Sequence, residues 1–263
     1  MNEIICGNNI DVMKTIPSGS VHMVVTSPPY DNLRTYKGFK LDINILIDEL
    51  FRVISPGGIC CWITGDASLD WSETGTSMRT ALKFMDKGFK LYDTMIYEKA
   101  GIQKPTTIRY YQCWEYIYVF SKGKPRVFNP LKDRPNKYAG ETCRGKLTSR
   151  QKDGSLKESF ERKVIPPFSM RRNIWKYAVG RQNSTADERA FDHPAIFPEK
   201  LAKDLIMSWS NVGDTILDPF NGSGTTTKMA QYLLRQFIGI DISEVYCEIA
   251  RSRLMDIVDS NEV

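Results

Sequence analysis

Two short stretches, each at the end of an apolar strand, limit the folds that this chain can adopt. The run 21–25 is apolar and stops at Thr26-Ser27-Pro28-Pro29-Tyr30. Prolines cannot continue a β-ladder, because they lack the N–H group and fix φ. A second apolar run, 215–217, stops at the glycine-containing stretch 218–225. Open α/β sheets bind ligands at the carboxyl ends of their strands, so both stretches are predicted to be ligand sites.

Apolar runs alternate along the chain with segments of helical spacing. The predicted strands are 3–6, 21–26, 59–64, 89–97, 114–120, 215–217 and 236–240. A first predicted helix is capped by Asn8 or Asn9, and the others span 41–54, 76–87, 199–209, 225–234 and 243–258. Residues 55–58 are predicted to be a stop between helix and strand, and 98–112 a loop. This alternation predicts an α/β fold with a largely parallel sheet.

Composition narrows the class of protein further. A length of 263 residues with 41% hydrophobic residues allows one large domain, or one domain with a sizeable insertion. The six cysteines include no CxxC pair and there are two histidines, so we expect no structural zinc site, no other metal site and a reducing cytoplasm. We also expect no signal peptide and no membrane span.

The positive charge is concentrated in one segment. Residues 121–190 contain 18 Lys+Arg and 7 Asp+Glu, a balance of +11, whereas the remainder contains 18 and 24, a balance of −6. A basic segment inside an acidic protein favours a polyanionic partner, although a solvated basic loop would give the same count. Within it, 129–177 has little periodicity and is long for a connection, which is typical of a functional insertion.

The stretch that follows the second strand has the features of a cofactor site. Gly222 and Gly224 allow close approach of a ligand to the backbone, and the next helix begins with N–H groups that favour an anion. Asp241 ends the following strand, where a carboxylate accepts hydrogen bonds from ribose hydroxyls. Asp218 can hold an ammonium group, which favours S-adenosylmethionine over NAD. A tight turn without ligand and a nucleotide-dependent oxidoreductase remain alternatives.

The Thr26–Tyr30 stretch fits methyl transfer to an exocyclic amine of a nucleobase. The lone pair of such a nitrogen is delocalised, and two acceptors aimed at its hydrogens would make it more tetrahedral. The Ser27 hydroxyl and the Pro28 carbonyl can supply these acceptors, and Tyr30 can stack on the base. Pro28 and Pro29 stiffen the loop, so the acceptors are preorganised. A proline-rich turn without catalytic role is the alternative.

Taken together, these stretches resemble those of the DNA amino-methyltransferases, which methylate N4 of cytosine or N6 of adenine. The order, catalytic loop first and glycine stretch last, resembles the circularly permuted β group. The matching segments are 26–30, 50–58, 114–122, 193–201, 218–226 and 239–242. The resemblance implies S-adenosylmethionine as cofactor. The cofactor-binding residues that it implies are Phe197, Asp218, Phe220, Gly222, Ser223, Gly224, Thr225, Asp241 and Ile242.

The resemblance also implies an organisation of the chain. It implies a seven-stranded sheet in the order 3-2-1-4-5-7-6 with one antiparallel strand, interrupted by a target-recognition insertion. We therefore divide the chain into a catalytic part (1–128), a basic recognition insertion (129–190) and a cofactor-binding part (191–263). Double-stranded DNA is the expected partner, with the target base flipped out of the duplex. Arg171, Arg172 and Lys163 are the predicted DNA contacts.

Residue 27 bears on the target base. Relatives that methylate adenine usually carry Asp or Asn there, and serine is more typical of cytosine-N4 enzymes, so cytosine is favoured and adenine is the alternative. An RNA or protein-glutamine methyltransferase and a non-catalytic DNA-binding module are more distant alternatives. The resemblance further implies a cytoplasmic protein of a prokaryotic or phage-infected cell, a monomer or homodimer, with a possible cognate restriction endonuclease.

Overall fold

The computed structural model describes residues 2–29, 41–101, 107–142, 147–159, 164–180, 183–192 and 196–260. Its centre is an eight-stranded sheet whose strands we number β1 to β8 in chain order. They are Asn2–Cys6, Val21–Thr26, Ile54–Thr64, Lys90–Ala100, Trp114–Ser121, Ile174–Ala178, Thr215–Asp218 and Gln236–Asp241. The helices α1 to α6 are Asn9–Thr15, Ile43–Val53, Thr76–Lys87, Glu199–Trp209, Thr225–Tyr232 and Glu244–Ser260, and Glu188–Asp192 is a 3-10 turn.

The order of strands in space is β1-β8-β7-β2-β3-β5-β4-β6. All neighbours are parallel except β5, which runs antiparallel to both β3 and β4. The predicted order 3-2-1-4-5-7-6 uses the family's own strand numbers, and its seven strands correspond in space to β1-β8-β7-β2-β3-β5-β4. The predicted sheet is therefore confirmed, with β5 as its one antiparallel strand. The eighth, β6, was not predicted, because it lies in the segment to which no periodicity could be assigned.

The sequence predicted most element boundaries to within a few residues, with two corrections. Helix α2 ends at Val53, as the turn residues 55–58 predicted, but the strand predicted at 59–64 begins earlier, because β3 starts at Ile54 and continues through Gly57 and Gly58. The predicted loop at 98–112 begins too early, because β4 continues to Ala100 and pairs there with β6. Turn residues terminate apolar periodicity in a sequence, but the backbone of a bulged strand can accommodate them.

The hydrophobic core is one continuous apolar cluster around the middle strands of the sheet. Leu46, Ile47 and Leu50 of α2 and Phe84 of α3 are fully or almost fully buried against the sheet. Phe84 stacks on Phe120 of β5 with ring centroids 4.2 Å apart. This packing fixes β2 and β3 side by side, so that their carboxyl ends meet at one edge of the sheet. Nowhere in the described ranges does a helix have the length and apolarity needed to span a membrane.

Two compact units divide the chain, one comprising 1–129 with 173–263 and the other 130–172. The smaller unit is built of short antiparallel pairs: Arg134–Pro135 with Phe168–Ser169, and Leu147–Arg150 with Leu156–Ser159. It contains 12 Lys+Arg against 5 Asp+Glu. It is narrower than the predicted insertion, 129–190, because 174–178 is a strand of the large sheet.

Candidate active site at the carboxyl edge of the sheet

The two predicted stretches follow neighbouring strands, β2 and β7, which pair in parallel. The link between them is a hydrogen bond in which the buried Thr26 hydroxyl donates to Oδ1 of Asp218 at 2.7 Å. A second link runs from the Thr226 hydroxyl, on α5, to the carbonyl of Val25 at 3.2 Å. The predicted catalytic and cofactor stretches therefore lie side by side, although about 190 residues separate them in sequence.

Asp218 is almost fully buried and is surrounded by donors. Besides Thr26, the backbone N–H of Phe220 donates to its Oδ1 at 3.0 Å, and the Thr226 side chain is a further partner. Burial raises the pKa of the Asp218 carboxyl to about 6, although these three donors lower it and the charge of Asp241 adds to the rise. Its predicted contact with an ammonium group stays a prediction, and any cation nearby would feel its charge at low dielectric.

The glycine loop is shaped by backbone conformation and close packing. Gly222 and Gly224 have φ values of 49° and 81°, which side chains disfavour. A Cβ at Gly224 would lie 2.7 Å from the Cβ of Ala250, so this glycine also allows α6 to pack closely on the loop. Gly224 is thus required by the packing of the loop against α6.

Asp241 ends β8 beside this loop. Its Oδ2 accepts from the Gly222 N–H and its Oδ1 accepts from the Ser243 N–H, both at 2.9 Å. Burial raises the pKa of this carboxyl, and the Ser243 and Gly222 N–H groups lower it in part. The Ile242 N–H is a third donor to this carboxylate, which has about four acceptor positions, so one remains available for a ribose hydroxyl. Ile242, which follows, is half exposed and offers an apolar surface there.

The remaining predicted residues lie around the same edge. Phe220 packs edge-on against Trp62 of β3, with ring centroids 6.4 Å apart. Phe197 is partly buried just before α4, and Thr225 is buried at the start of α5. Ser27 is partly buried, Pro28 is buried and Pro29 is exposed. Tyr30 lies outside the described residues.

An ionic cluster behind the glycine loop was not predicted. Arg253 of α6 is completely buried, and its Nη1 donates to the carbonyl and hydroxyl of Ser223. Its Nη2 donates to Oε1 of Glu199 at 2.7 Å and its Nε to Oδ2 of Asp187 at 3.1 Å. Lys228 also pairs with Glu199, at 2.8 Å. The cluster connects α6, α4 and the segment at residue 187 to the glycine loop. The side chain of Ser223, which was predicted to bind the cofactor, faces Arg253.

Sequence reasoning also missed two asparagines. The amide of Asn9 donates to the carbonyl of Pro219 at 3.2 Å, and Asn221 accepts from the Thr227 hydroxyl at 3.0 Å. Asn9 Oδ1 and Asn221 Nδ2 are buried with no protein partner within the described ranges. Unpaired buried polar atoms are typical of sites completed by water or ligand. With the glycine loop and Asp241, they fit a polar cofactor, and nowhere in the described ranges do three or more His, Cys, Asp or Glu residues group as a metal site would need.

The predicted DNA contacts lie in the smaller unit or outside the described residues. Arg171 donates to both oxygens of Asp133, including a contact of 2.9 Å from its Nε. Its charge is therefore already balanced. Arg172 is exposed. Lys163 lies outside the described residues, and the DNA-binding role of all three stays a prediction.

Comparison with known proteins identifies the family. The family model described as "DNA methylase" matches residues 21–252, and the chain belongs to this family of N6/N4 DNA methyltransferases. The orphan methyltransferase M.BamHII of Bacillus amyloliquefaciens is 48% identical over 239 residues, covering 91% of this chain and 90% of that protein.

Solved structures agree in fold. A DNA modification methylase of Thermus thermophilus in complex with S-adenosyl-L-methionine has a TM-score of 0.64 at 24% identity, covering 98% of this chain and 96% of that one. The PvuII cytosine-N4-specific DNA methyltransferase has a TM-score of 0.67 at 18% identity, covering 98% and 90%. The protein is an S-adenosylmethionine-dependent DNA methyltransferase of the N4/N6 group.

Proposed function

We propose that this protein methylates N4 of a cytosine flipped out of duplex DNA, at a specific sequence. The observation that carries the proposal is the 2.7 Å hydrogen bond from Thr26 to Asp218, because it holds the base-binding stretch directly beside the cofactor stretch. The neighbouring residue, Ser27, carries a hydroxyl where adenine-specific relatives usually carry Asp or Asn.

The chain's own residues have distinct roles in this proposal. Ser27 Oγ and the Pro28 carbonyl accept the two amino hydrogens of the base, which localises the nitrogen lone pair. Pro28 is buried, so the carbonyl is held in place. Tyr30 stacks on the base. The proton that the amine loses leaves after methyl transfer, so no strong base is needed.

The cofactor, when bound, supplies an electrophilic methyl group on a positively charged sulfur. Asp241 would hold its ribose, Ile242 and Phe197 would lie against its apolar parts, and the N-terminus of α5 would favour its carboxylate. Asp218, ionised above about pH 6, would contribute a negative charge beside the positive end of the cofactor. In-line placement of methyl and amine carries much of the rate enhancement.

Sequence recognition is assigned in this proposal to the basic smaller unit, 130–172, within the predicted insertion 129–190. The excess of Lys+Arg there supports contact with phosphates. Methylation would protect the site from a cognate restriction endonuclease, as in a restriction–modification system. The name of M.BamHII, an orphan methyltransferase, favours the alternative that the enzyme acts without one.

The test is mass spectrometry of nucleosides from mixed-sequence duplex DNA incubated with the protein and S-adenosylmethionine. N4-methylcytosine is the expected product. N6-methyladenine would overturn the base assignment and leave the site geometry in place. Adenine is the second candidate because a serine hydroxyl can accept from either amine.

A further inference from the structure

A hairpin with an exposed tryptophan follows β3 at the edge of the sheet that carries Ser27. Its strands are Ser68–Leu69 and Ser72–Glu73, joined by Asp70 and Trp71. These two turn residues have φ values of 47° and 66°, in the left-handed region where glycine and asparagine are usual. Trp71 is 82% exposed. A large apolar side chain that is exposed to solvent and held in an unfavourable backbone conformation does not stabilise the fold, which indicates a role in binding.

The hairpin is firmly attached at its base. Asp66 accepts from the N–H of Ser77, at the start of α3, at 2.9 Å and from the Thr74 hydroxyl at 3.2 Å. The N–H of Thr74 donates to the carbonyl of Ala67 at 2.9 Å. The tryptophan is therefore presented on a short, anchored support.

A second exposed aromatic segment is joined to this hairpin. Nη1 of Arg109 donates to the hydroxyl of Ser68 at 2.6 Å. The next two residues, Tyr110 and Tyr111, are 99% and 56% exposed. This segment precedes β5, whose Tyr116 pairs with Thr64 at the end of β3. We call Trp71, Tyr110 and Tyr111 the aromatic edge.

The strand register places the aromatic edge near the catalytic loop. Thr26, the last residue of β2, pairs with Trp62 of β3, two residues before that strand ends. Neighbouring strands are about 4.8 Å apart, so the hairpin leaves the sheet roughly one strand spacing from the loop that carries Ser27. DNA that presents a base to Ser27 approaches this carboxyl edge of the sheet, from which the hairpin also leaves.

We propose that the aromatic edge, led by Trp71, contacts the bases of duplex DNA beside the flipped nucleotide and holds open the gap that it leaves. Flat π-faces stack on unpaired bases, and wedge side chains that unstack a base step are a general means of distorting DNA. Asp70 and Glu73 bring negative charge to the hairpin, whereas Arg109 adjoins it through Ser68, so a phosphate can lie beside the edge while the rings contact bases. The inference rests on base flipping in the proposed function.

The test compares variants on two DNA substrates. The methylated site is first mapped by sequencing plasmid DNA modified by the wild-type protein, and oligonucleotide duplexes are made with the target base either paired or opposite an abasic position. For Trp71→Ala we expect kcat/KM on the paired duplex to fall about 10-fold to 100-fold, the range expected for one base stack. On the duplex whose target base is already unpaired, we expect a loss of about 3-fold or less.

Three controls keep the outcome interpretable. Trp71→Phe retains a stacking ring and should recover most of the activity. Leu69→Ala removes another exposed side chain of the same hairpin, 58% exposed, and should leave both substrates unaffected. Cofactor affinity of all variants should equal that of the wild type. Equal losses for Trp71→Ala on both duplexes, or no loss, would overturn the inference, whereas mapping adenine instead of cytosine would overturn only the base assignment.

Discussion

The Thr26 hydroxyl and the Asp218 carboxylate lie 2.7 Å apart in a fully buried contact between β2 and β7. The pair joins the last residue of the strand that leads to the catalytic loop to the last residue of the strand that leads to the glycine loop. A change in the protonation of Asp218 should therefore affect both the loop that carries Ser27 and the glycine loop.

Cofactor affinity should depend on pH through Asp218. Burial raises its pKa from 3.8 to about 6, so the carboxyl is neutral below that value and ionised above it. Since the negative form attracts a cationic cofactor, affinity for S-adenosylmethionine should rise as the pH increases through about 6. Calorimetry between pH 5 and 8 measures this, and Asp218→Asn should remove the step at pH 6.

Thr26→Val should move the midpoint of that step upward. The Thr26 hydroxyl stabilises the ionised carboxylate and so lowers the pKa of Asp218. Without this donor the pKa rises, and higher pH is needed for tight binding. Thr26→Ser keeps the hydroxyl and is the matched control. An unmoved midpoint in the valine variant would show that the bond does not govern the titration.

Ser27→Ala should slow methyl transfer while cofactor affinity stays nearly constant. Removing one of two acceptors leaves the amine lone pair less localised, and loss of a single preorganised polar contact to a transition state typically costs about 100-fold in kcat. Single-turnover methylation of duplex DNA measures the effect. Ser20→Ala, at an exposed turn after α1, is the control. An unchanged single-turnover rate would remove Ser27 from the mechanism.

Asp241→Ala should weaken cofactor binding through a lost hydrogen bond to ribose. Bonds to a charged group contribute roughly 1.5–3 kcal/mol each, which corresponds to at least about 10-fold in Kd. Titration calorimetry with S-adenosylmethionine measures the loss. Asp11→Ala, at an exposed site on α1, should bind normally. Equal affinity of the Asp241 variant and the wild type would refute the ribose assignment.

Arg253→Lys should weaken cofactor binding more than DNA binding. Lysine retains the charge, but it lacks the planar fork that reaches Ser223, Glu199 and Asp187 together. We expect the Kd of S-adenosylmethionine, measured by calorimetry, to rise about 10-fold. The affinity for DNA, measured without the cofactor, should not change.

Arg251→Lys, two residues earlier on the same helix, makes the same replacement where the guanidinium pairs with Glu244 and donates to the carbonyl of Ile4, and it is the matched control for this variant. A parallel loss of cofactor and DNA affinity in Arg253→Lys, together with a lower Tm, would indicate general destabilisation rather than positioning of the loop.

Arg172→Ala and Arg171→Ala should each reduce the salt dependence of DNA binding. Each phosphate contact contributes about one unit to the slope of log K against log salt. Arg171 is held by Asp133, and a phosphate would have to displace that carboxylate. Fluorescence anisotropy at several salt concentrations measures the slopes. Identical slopes for wild type and both variants would place the phosphate contacts elsewhere.

The sequence predicted the sheet well because apolar runs and turn residues are local signals. The runs 21–26 and 236–240 were predicted as strands from their own composition, and 218–225 was predicted as a turn from strand to helix. The strands of the smaller unit were not predicted, because at two to four residues they are too short to show periodicity. Strand β6 was missed because its alternation covers five residues in a basic surrounding.

The tertiary contacts that hold the site together could not be predicted from the sequence either. Thr26 was read as part of a motif, but its bond to Asp218 depends on which strands become neighbours. Nothing in the predicted final helix singled out Arg253, which is completely buried and bonded to Asp187, 66 residues away in sequence. Such contacts follow from topology, which local spacing does not encode.

The smaller unit begins and ends next to two asparagines that are bonded to the sheet domain. The Asn129 N–H donates to the carbonyl of Ser208, and the carbonyl of Asn173 accepts from the Ile96 N–H. Backbone hydrogen bonds within the sheet domain therefore hold the two residues that flank the smaller unit. If the smaller unit reads the target sequence as proposed, exchanging the 43-residue segment between these two asparagines would change the recognised site while leaving the residues of the sheet domain unaltered.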